Sequence, residues 1–299
     1  MKIFQELFNQ TSIMAPKRDA RPFITEKDSS CPFCLANKEC LESILDESWE
    51  GDELLVRIVP NRYPITSKEK AKGAHDVVID TQHHTLHPKD FTFSHWEVLL
   101  MCIQKRWHEL MQNPKIQFIQ VFKNYGILAG ASISHSHWQI LALEEVPYSM
   151  QMKYGAYEQE GLCYLCSDLH YKEGFIVYAD SAFEIWVPPI PRFPYEVWII
   201  PRKHYQHYGE LSSEEVKQLG KLIKYLLQIY HQINPHYDFN ICMMSGDVKG
   251  NYNYHFYVQL VMRMGHIAGF EIATGCHILS VEPSAYAKEM KKILKGMYK

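Results

Sequence analysis

The sequence predicts an α+β fold made of two tandem repeats, with antiparallel sheets and one long helix in each half. Three observations lead there. A cysteine pair followed by two widely spaced histidines occurs once in each half, in the same order. A capped amphipathic helix follows the first histidine of each set. Short strand-like runs separated by Pro- and Gly-containing turns fill the remainder, a pattern that fits antiparallel sheets and not the alternation of a parallel α/β fold.

In the first half, Cys31 and Cys34 precede a strand at residues 54–59 and another at Asp76-Val77-Val78-Ile79-Asp80, after which comes His84. Ser94, three residues before Glu97, reads as the capping box of a helix with Val98, Leu99, Cys102 and Ile103 on its apolar face. Strands at 116–122 and 135–139 complete this half. In the second half, Cys163 and Cys166 precede strands at 183–187 and 196–200, and His204 follows. Ser212 and Glu215 cap a helix with Val216, Leu219, Leu222, Ile223 and Leu226 on one face, and strands at 238–244 and 255–259 come after it. His84 and His135 are 51 residues apart, as are His204 and His255, and each second histidine opens a His-x-x-x-Gln run. Residues 147–160, polar and without a clear period, are expected to link an N-terminal half (1–150) to a C-terminal half (151–299). Pro283 opens a terminal helix running to about residue 297.

The chain of 299 residues can bury a full core without cross-links. With 31 Lys and Arg against 34 Asp and Glu, its net charge of −3 argues against a nucleic-acid partner, which a basic footprint would mark. No apolar run approaches the ~18 residues that a membrane span requires. The first residues hold no secretory signal, so a cytoplasmic protein is expected. Eight cysteines are too sparse for a disulfide scaffold.

Cys31, Cys34, His84 and His135 together supply two thiolates and two imidazoles, a closed tetrahedral set of the kind zinc prefers. Cys163, Cys166, His204 and His255 make a second set, for which His207 and His170 are possible substitutes. A redox pair and a single four-cysteine site are the competing readings. The first lacks the strand-to-helix setting of a thioredoxin motif, and the second leaves the matched histidines unexplained. His135 and His137 stand two apart on an expected strand, which sends both side chains to one face. Beside a zinc-fixed His135, the neutral imidazole of His137 suits a nucleophile toward phosphorus, with a further metal ligand or a plain sheet histidine as the alternatives. Tyr257 holds the matching place in the second half, so only the first half can carry this chemistry. Gly126 and Gly130 let backbone approach phosphate oxygens. Arg18, Arg21 and Arg62 offer guanidiniums for bidentate phosphate contact, against the competing reading of solvated surface charge.

The run 122–139, FKNYGILAGASISHSHWQ, resembles the active-site segment of galactose-1-phosphate uridylyltransferases, the transferase branch of the histidine-triad superfamily. The likeness takes in residues 18–22, Cys31-Pro32-Phe33-Cys34, residues 60–64, 75–84 and 194–201, and the run GFEIATGC at 269–276. His-Ser-His, the second cysteine pair and the 269–276 run are closer to the ADP-glucose phosphorylase branch. The resemblance implies two histidine-triad-like repeats and a ping-pong nucleotidyl transfer. In it, His137 attacks the α-phosphorus of a nucleotide sugar and expels hexose 1-phosphate, and a phosphate acceptor, either a hexose 1-phosphate or inorganic phosphate, then takes the nucleotidyl group. Gln139, standing where the hydrolase branch has a third histidine, is implied to contact the phosphate and favour transfer. Family roles carried to matched positions place Asn124, Gly130 and Ser132 at the nucleotide and phosphates, Arg18 and Arg21 near the phosphates, and Asn61 near the nucleoside. Phe270 and Glu271 match the segment that contacts the hexose phosphate across a dimer interface, so a homodimer is implied. Asn253 stands where bacterial uridylyltransferases have a further histidine. A histidine-triad hydrolase, a dinucleoside-polyphosphate phosphorylase and a zinc-stabilised nucleotide-binding protein without turnover are the alternatives, with Trp138 a bulky neighbour for the pocket.

Overall fold

The computed structural model describes residues 3–5, 11–13, 15–20, 31–41, 43–66, 72–159, 163–167 and 173–297. Two short strands, β1 (Ile3–Gln5) and β2 (Thr11–Ile13), pair as a separate antiparallel ribbon. Ten others form one continuous antiparallel sheet where two sheets were expected. Its first-half strands are β3 (Asp46–Glu50), β4 (Glu53–Pro60), β5 (Gly73–Ile79), β6 (Phe118–Tyr125) and β7 (His137–Leu143). Those of the second half are β8 (Ile176–Ala179), β9 (Phe183–Trp186), β10 (Val197–Pro201), β11 (Asp238–Met244) and β12 (Tyr257–Arg263). The spatial order is β3-β4-β5-β7-β6-β11-β12-β10-β9-β8. The halves therefore meet where β6 pairs with β11, from Phe239 opposite Tyr125 to Met243 opposite Val121. That pairing hides two edges, each of which would otherwise present a row of unpaired N–H and C=O groups.

Two long helices, α1 (Phe93–Met111) and α3 (Ser213–Ile233), pack together on one face of this sheet. Their buried residues recur at helical spacing: Trp96, Leu99, Leu100, Ile103 and Trp107 from α1, and Val216, Leu219, Ile223, Leu226 and Tyr230 from α3. Full burial of each such side chain contributes about 1.5–3 kcal/mol. Gly220 allows the close approach, since a Cβ there would lie 3.1 Å from Trp96 Cβ. A short helix, α4 (Gly269–Thr274), and the terminal α5 (Pro283–Met297) close the chain, and α5 lies against β8. The outermost strand at the other end, β3, has a bulge between Ser48 and Trp49.

The structure changes three further sequence expectations. Residues 147–160 are not an irregular linker, because Tyr148–Gln159 forms a helix, α2. Met150 and Tyr154, one turn apart, are its buried anchors, packed with Phe118, Leu141 and Tyr254, and Tyr154 Oη donates to the Ser245 carbonyl (2.8 Å). Two anchors among the described side chains are too few to show as a period. The N-cap of α1 is Thr92, not Ser94: Thr92 Oγ1 accepts the His95 N–H (3.0 Å), whereas Ser212 and Glu215 cap α3 reciprocally as expected. The strand expected at 135–139 begins only at His137, so His135 lies ahead of it, and His255 likewise lies ahead of β12. Strand alternation therefore does not relate His135 to His137. No helix among the described residues is long and apolar enough to cross a membrane.

The two candidate caps separate by substitution. Thr92→Ala is expected to lower stability by about 1 kcal/mol. Exposed Ser94→Ala should change it by less than about 0.5 kcal/mol. Urea unfolding midpoints of the two variants check this.

Candidate active site and metal groups

Cys31, Cys34, His84 and His135 converge, with their ligand atoms all within 4.8 Å of one another, and Cys163, Cys166, His204 and His255 do the same. In the first group His135 Nδ1 lies 3.7 Å from Cys31 Sγ and 3.6 Å from Cys34 Sγ, while His84 Nδ1 is 3.4 Å from Cys34 Sγ. In the second group His255 Nδ1 is 3.5 Å from Cys163 Sγ and 3.3 Å from Cys166 Sγ, and His204 Nδ1 is 3.2 Å from Cys166 Sγ. Both can hold a metal. The far nitrogens are also matched: His135 Nε2 donates to the Thr81 carbonyl and His255 Nε2 to the Pro201 carbonyl, each at 2.8 Å. Such a bond fixes the tautomer and turns Nδ1 toward the sulfurs. Burial pushes the Cys31 thiol up to about 11 and the Cys166 thiol up to about 12, so a cation is what would hold them as thiolates. His207 does not join the second group, since it stacks on Trp107 at 5.8 Å. His170 lies outside the described residues.

His137 opens β7 beside the first group. Its Nδ1 lies 2.8 Å from the His135 carbonyl, an acceptor, so Nδ1 carries the proton and Nε2 keeps its lone pair. Burial pushes this imidazole down to about 4, which keeps it neutral. His137 lines a pocket with Gln139, Ser132 and Asn61, whose apolar walls include Phe33, Val59, Val77 and Ile133. Phe33, between the two cysteines, meets the rings of both His135 and His137 edge-on, at 6.1 and 5.1 Å. Trp138 points the other way, edge-on against Trp96 in the α1 core, and does not line the pocket.

Beneath the strand sits a fully buried ion pair. Lys123 Nζ is 2.7 Å from Asp80 Oδ2 and 2.7 Å from Ser136 Oγ, and it donates to the His137 carbonyl at 3.3 Å. Burial pushes the lysine down and Asp80 opposes that shift. The loop before the histidines is held from the second half. Asp238 Oδ2 accepts the Leu128 N–H (2.7 Å), and Asn240 Nδ2 donates to Asn124 Oδ1 and to the Ala129 carbonyl (both 2.9 Å). Gly126, at φ +86°, has to be glycine there, because a Cβ would fall 1.9 Å from Asp238 Oδ1.

A family model described as the N-terminal domain of a domain of unknown function, DUF4931, matches residues 11–146. The ADP-glucose phosphorylase of Arabidopsis thaliana is 32% identical across 95% of this chain and 90% of that protein. The galactose-1-phosphate uridylyltransferase of Thermotoga maritima is 28% identical across 94% of this chain and 93% of that protein. The chain belongs to the galactose-1-phosphate uridylyltransferase family. A crystal structure of an Arabidopsis thaliana ADP-glucose phosphorylase with bound ADP-glucose superposes with a TM-score of 0.80 at 30% identity, covering 97% of this chain and 98% of that one. A uridylyltransferase structure, 23% identical, shares the fold with a TM-score of 0.84 over the full length of both chains.

Of the residues the family resemblance singles out, Asn61, Ser132, His137 and Gln139 meet at one pocket. Arg18 Nη1 donates to the Tyr63 carbonyl (3.0 Å), which sets it against the loop that carries Asn61. Asn124 and Gly130 belong to the strand and loop leading to the pocket without lining it, and Arg21 lies outside the described residues. Glu271 lines a separate cleft with Arg192 and His277, and neighbouring Phe270 is 56% exposed. Sequence reasoning missed Lys123, Asp80 and His75 as supports. Lys123 and Asp80 both occur within quoted motifs, but their pairing across 43 residues follows only from the sheet order, in which β7 lies between β5 and β6. Lys123→Met would strand a buried carboxylate and is expected to cost about 3–5 kcal/mol, read from urea unfolding.

Proposed function

We propose that this chain is a nucleotidyltransferase that moves a nucleoside monophosphate from a nucleotide sugar to a phosphate acceptor through a nucleotidyl-histidine at His137. One observation carries this reading: Nδ1–H of His137 is held by the His135 carbonyl, which leaves Nε2 as a pre-aimed, unprotonated nucleophile at the pocket. Nε2 attacks the α-phosphorus, and the N–P bond forms as the bond to the leaving hexose 1-phosphate oxygen breaks. That oxygen departs with the electron pair and needs no proton at neutral pH. The imidazolium charge is shared with the His135 carbonyl through the Nδ1–H bond. An oxygen of the second phosphate then attacks the same phosphorus and returns the electron pair to Nε2. Gln139, Ser132 and Asn61 line the pocket in which the nucleotide would sit, and the family resemblance assigns Asn124 and Gly130 to the nucleotide and phosphates and Arg18 and Arg21 to the phosphates. The relative with bound ADP-glucose supports a nucleotide sugar as donor.

Zinc is the metal this reading assigns to both Cys/His groups. Zn–S bonds of about 2.3 Å and Zn–N bonds of about 2.0–2.1 Å at tetrahedral angles give S···N edges of about 3.6 Å. The first group's separations of 3.4 to 3.7 Å match that edge, and the second group's of 3.2 to 3.5 Å are slightly tighter. When bound at the first group, the metal supplies a fixed anchor for His135 and so for the carbonyl that orients His137. The same reading takes residues 1–150 and 151–299 as two histidine-triad-like repeats, supported by five strands from each in the large sheet. It also takes the protein as a homodimer in which Phe270 and Glu271 reach the partner's hexose phosphate. Exposed Ile267, Phe270, Ile272 and Ile278 around α4 support that assembly. The eight free cysteines suit the reducing cytoplasm.

Incubation with UDP-glucose, ADP-glucose and GDP-mannose separately, followed by intact-mass measurement at mildly alkaline pH, tests the chemistry. A nucleotide-sized adduct with one donor is expected. It should vanish in His137→Ala while metal content stays unchanged, and transfer should fall by more than about 1,000-fold. No adduct with any donor, or steady release of nucleotide without an acceptor, would overturn the transferase reading. Cys31→Ser should cost one zinc per chain by elemental analysis and lower Tm with it, because metal binding is coupled to folding.

A further inference from the structure

Gln139 and Gln259 hold the same place in the two repeats, four residues after His135 and His255. Their amides are held by opposite ends. The Ile65 backbone N–H donates to His75 Nδ1 at 3.0 Å, so that nitrogen carries no proton and His75 Nε2 must. Nε2–H in turn donates to Gln139 Oε1 at 3.0 Å. Asn61 Nδ2 also approaches His75 Nε2, at 3.2 Å, but it is a donor whose own Oδ1 takes the Tyr63 N–H at 2.8 Å, so it offers no competing acceptor. With its oxygen taken, the Gln139 amide has its NH2 for the pocket that it lines with His137.

In the second half the arrangement is reversed. Gln259 Nε2 donates to Glu196 Oε1 at 2.6 Å, a carboxylate that also takes Trp198 Nε1–H and the Arg192 N–H, both at 2.8 Å. A carboxylate can only accept, so it fixes the glutamine with NH2 inward. Tyr257, in the place of His137, is stacked on Trp198 at 4.2 Å. One amide is thus aimed at a pocket beside an imidazole, and its counterpart is spent on a buried carboxylate.

We propose that His75 is the positioning residue for Gln139: as a neutral imidazole with a dictated tautomer, it fixes the amide so that N–H donors meet the non-bridging oxygens of the phosphorus under attack. The inference rests on the transferase reading and deepens it. A carboxylate at position 75 would do to Gln139 what Glu196 does to Gln259 and would leave an oxygen facing the phosphate. The expected effect is the worth of a hydrogen bond to a charged group, about 10- to 100-fold in the rate of nucleotidyl transfer to His137.

The test is a double-mutant cycle on that half-reaction, read as the rate of adduct formation with whichever of UDP-glucose and ADP-glucose the wild type uses. His75→Gln, which can still donate to Gln139, should stay within about threefold of wild type, and near-isosteric His75→Glu should fall by the full factor. In a Gln139→Met background, the Gln and Glu variants at 75 should differ by less than about threefold, because no amide remains to be turned. Metal content and Tm are measured alongside. If His75→Glu proves unstable, His75→Leu, which removes the donor without adding charge, should show the same loss and the same dependence on Gln139. Equal losses in both backgrounds, or no loss in the Gln139 background, would overturn the positioning role while leaving the transferase reading intact. A wild type that takes on no nucleotidyl group would overturn both.

Discussion

Everything at the site depends on the antiparallel pairing of β6 with β11. That junction turns two five-stranded units into one sheet, and it also brings Asp238 and Asn240 of the second half under the loop that precedes His135. Gly126 is in that loop because the carboxylate of Asp238 occupies the space of a side chain. The second repeat is therefore a structural part of the first repeat's pocket. The half in which Tyr257 stands at the place of His137 thus supports the loop across the junction through Asp238 and Asn240.

Each Cys/His group has a backbone carbonyl that receives the far nitrogen of its second histidine, His135 or His255, but His84 Nε2 meets Ser134 Oγ at 2.9 Å whereas His204 Nε2 is buried without a partner among the described residues. A second difference lies beside the groups. In the first half Phe33 packs between the rings of His135 and His137 beside the pocket, whereas in the second Tyr257 and Trp198 fill the corresponding region with stacked rings. The Cys/His group and the pocket are thus separable layers of one repeat. The first layer needs only four side chains and two backbone acceptors. The second needs space, an oriented imidazole and an oriented amide.

The parts of this legible in the sequence were those written as repeated spacing. The Cys and His sets stand out because both second histidines follow the first by 51 residues, and α3 because Ser212 and Glu215 sit directly before its apolar period. The merger of the sheets was not legible, since edge pairing depends on backbone groups that every residue shares. Thr92 lacks the capping acid that marks a box, since His95 stands three residues on, and its cap consists only of a hydroxyl and a backbone N–H. Helix α2 gave no period because its burial rests on Met150 and Tyr154. His75 was visible as part of a strand, but its tautomer is set by the N–H of Ile65, ten residues away, which no side-chain pattern encodes.

The ends of the ten-stranded sheet also have a consequence for solution behaviour. At one end α5 lies against β8. At the other, β3 reads Asp46-Glu47-Ser48-Trp49-Glu50, three acids on a five-residue strand broken by a bulge. Asp46 and Glu47 are paired with Lys105 (2.9 Å) and Arg57 (2.6 Å), so it is the bulge that sets an incoming strand from another molecule a register it could not match. A sheet this wide is in principle an open template for intermolecular β-pairing. Here the bulge in β3 and the helix against β8 make both outer strands poor partners for such pairing.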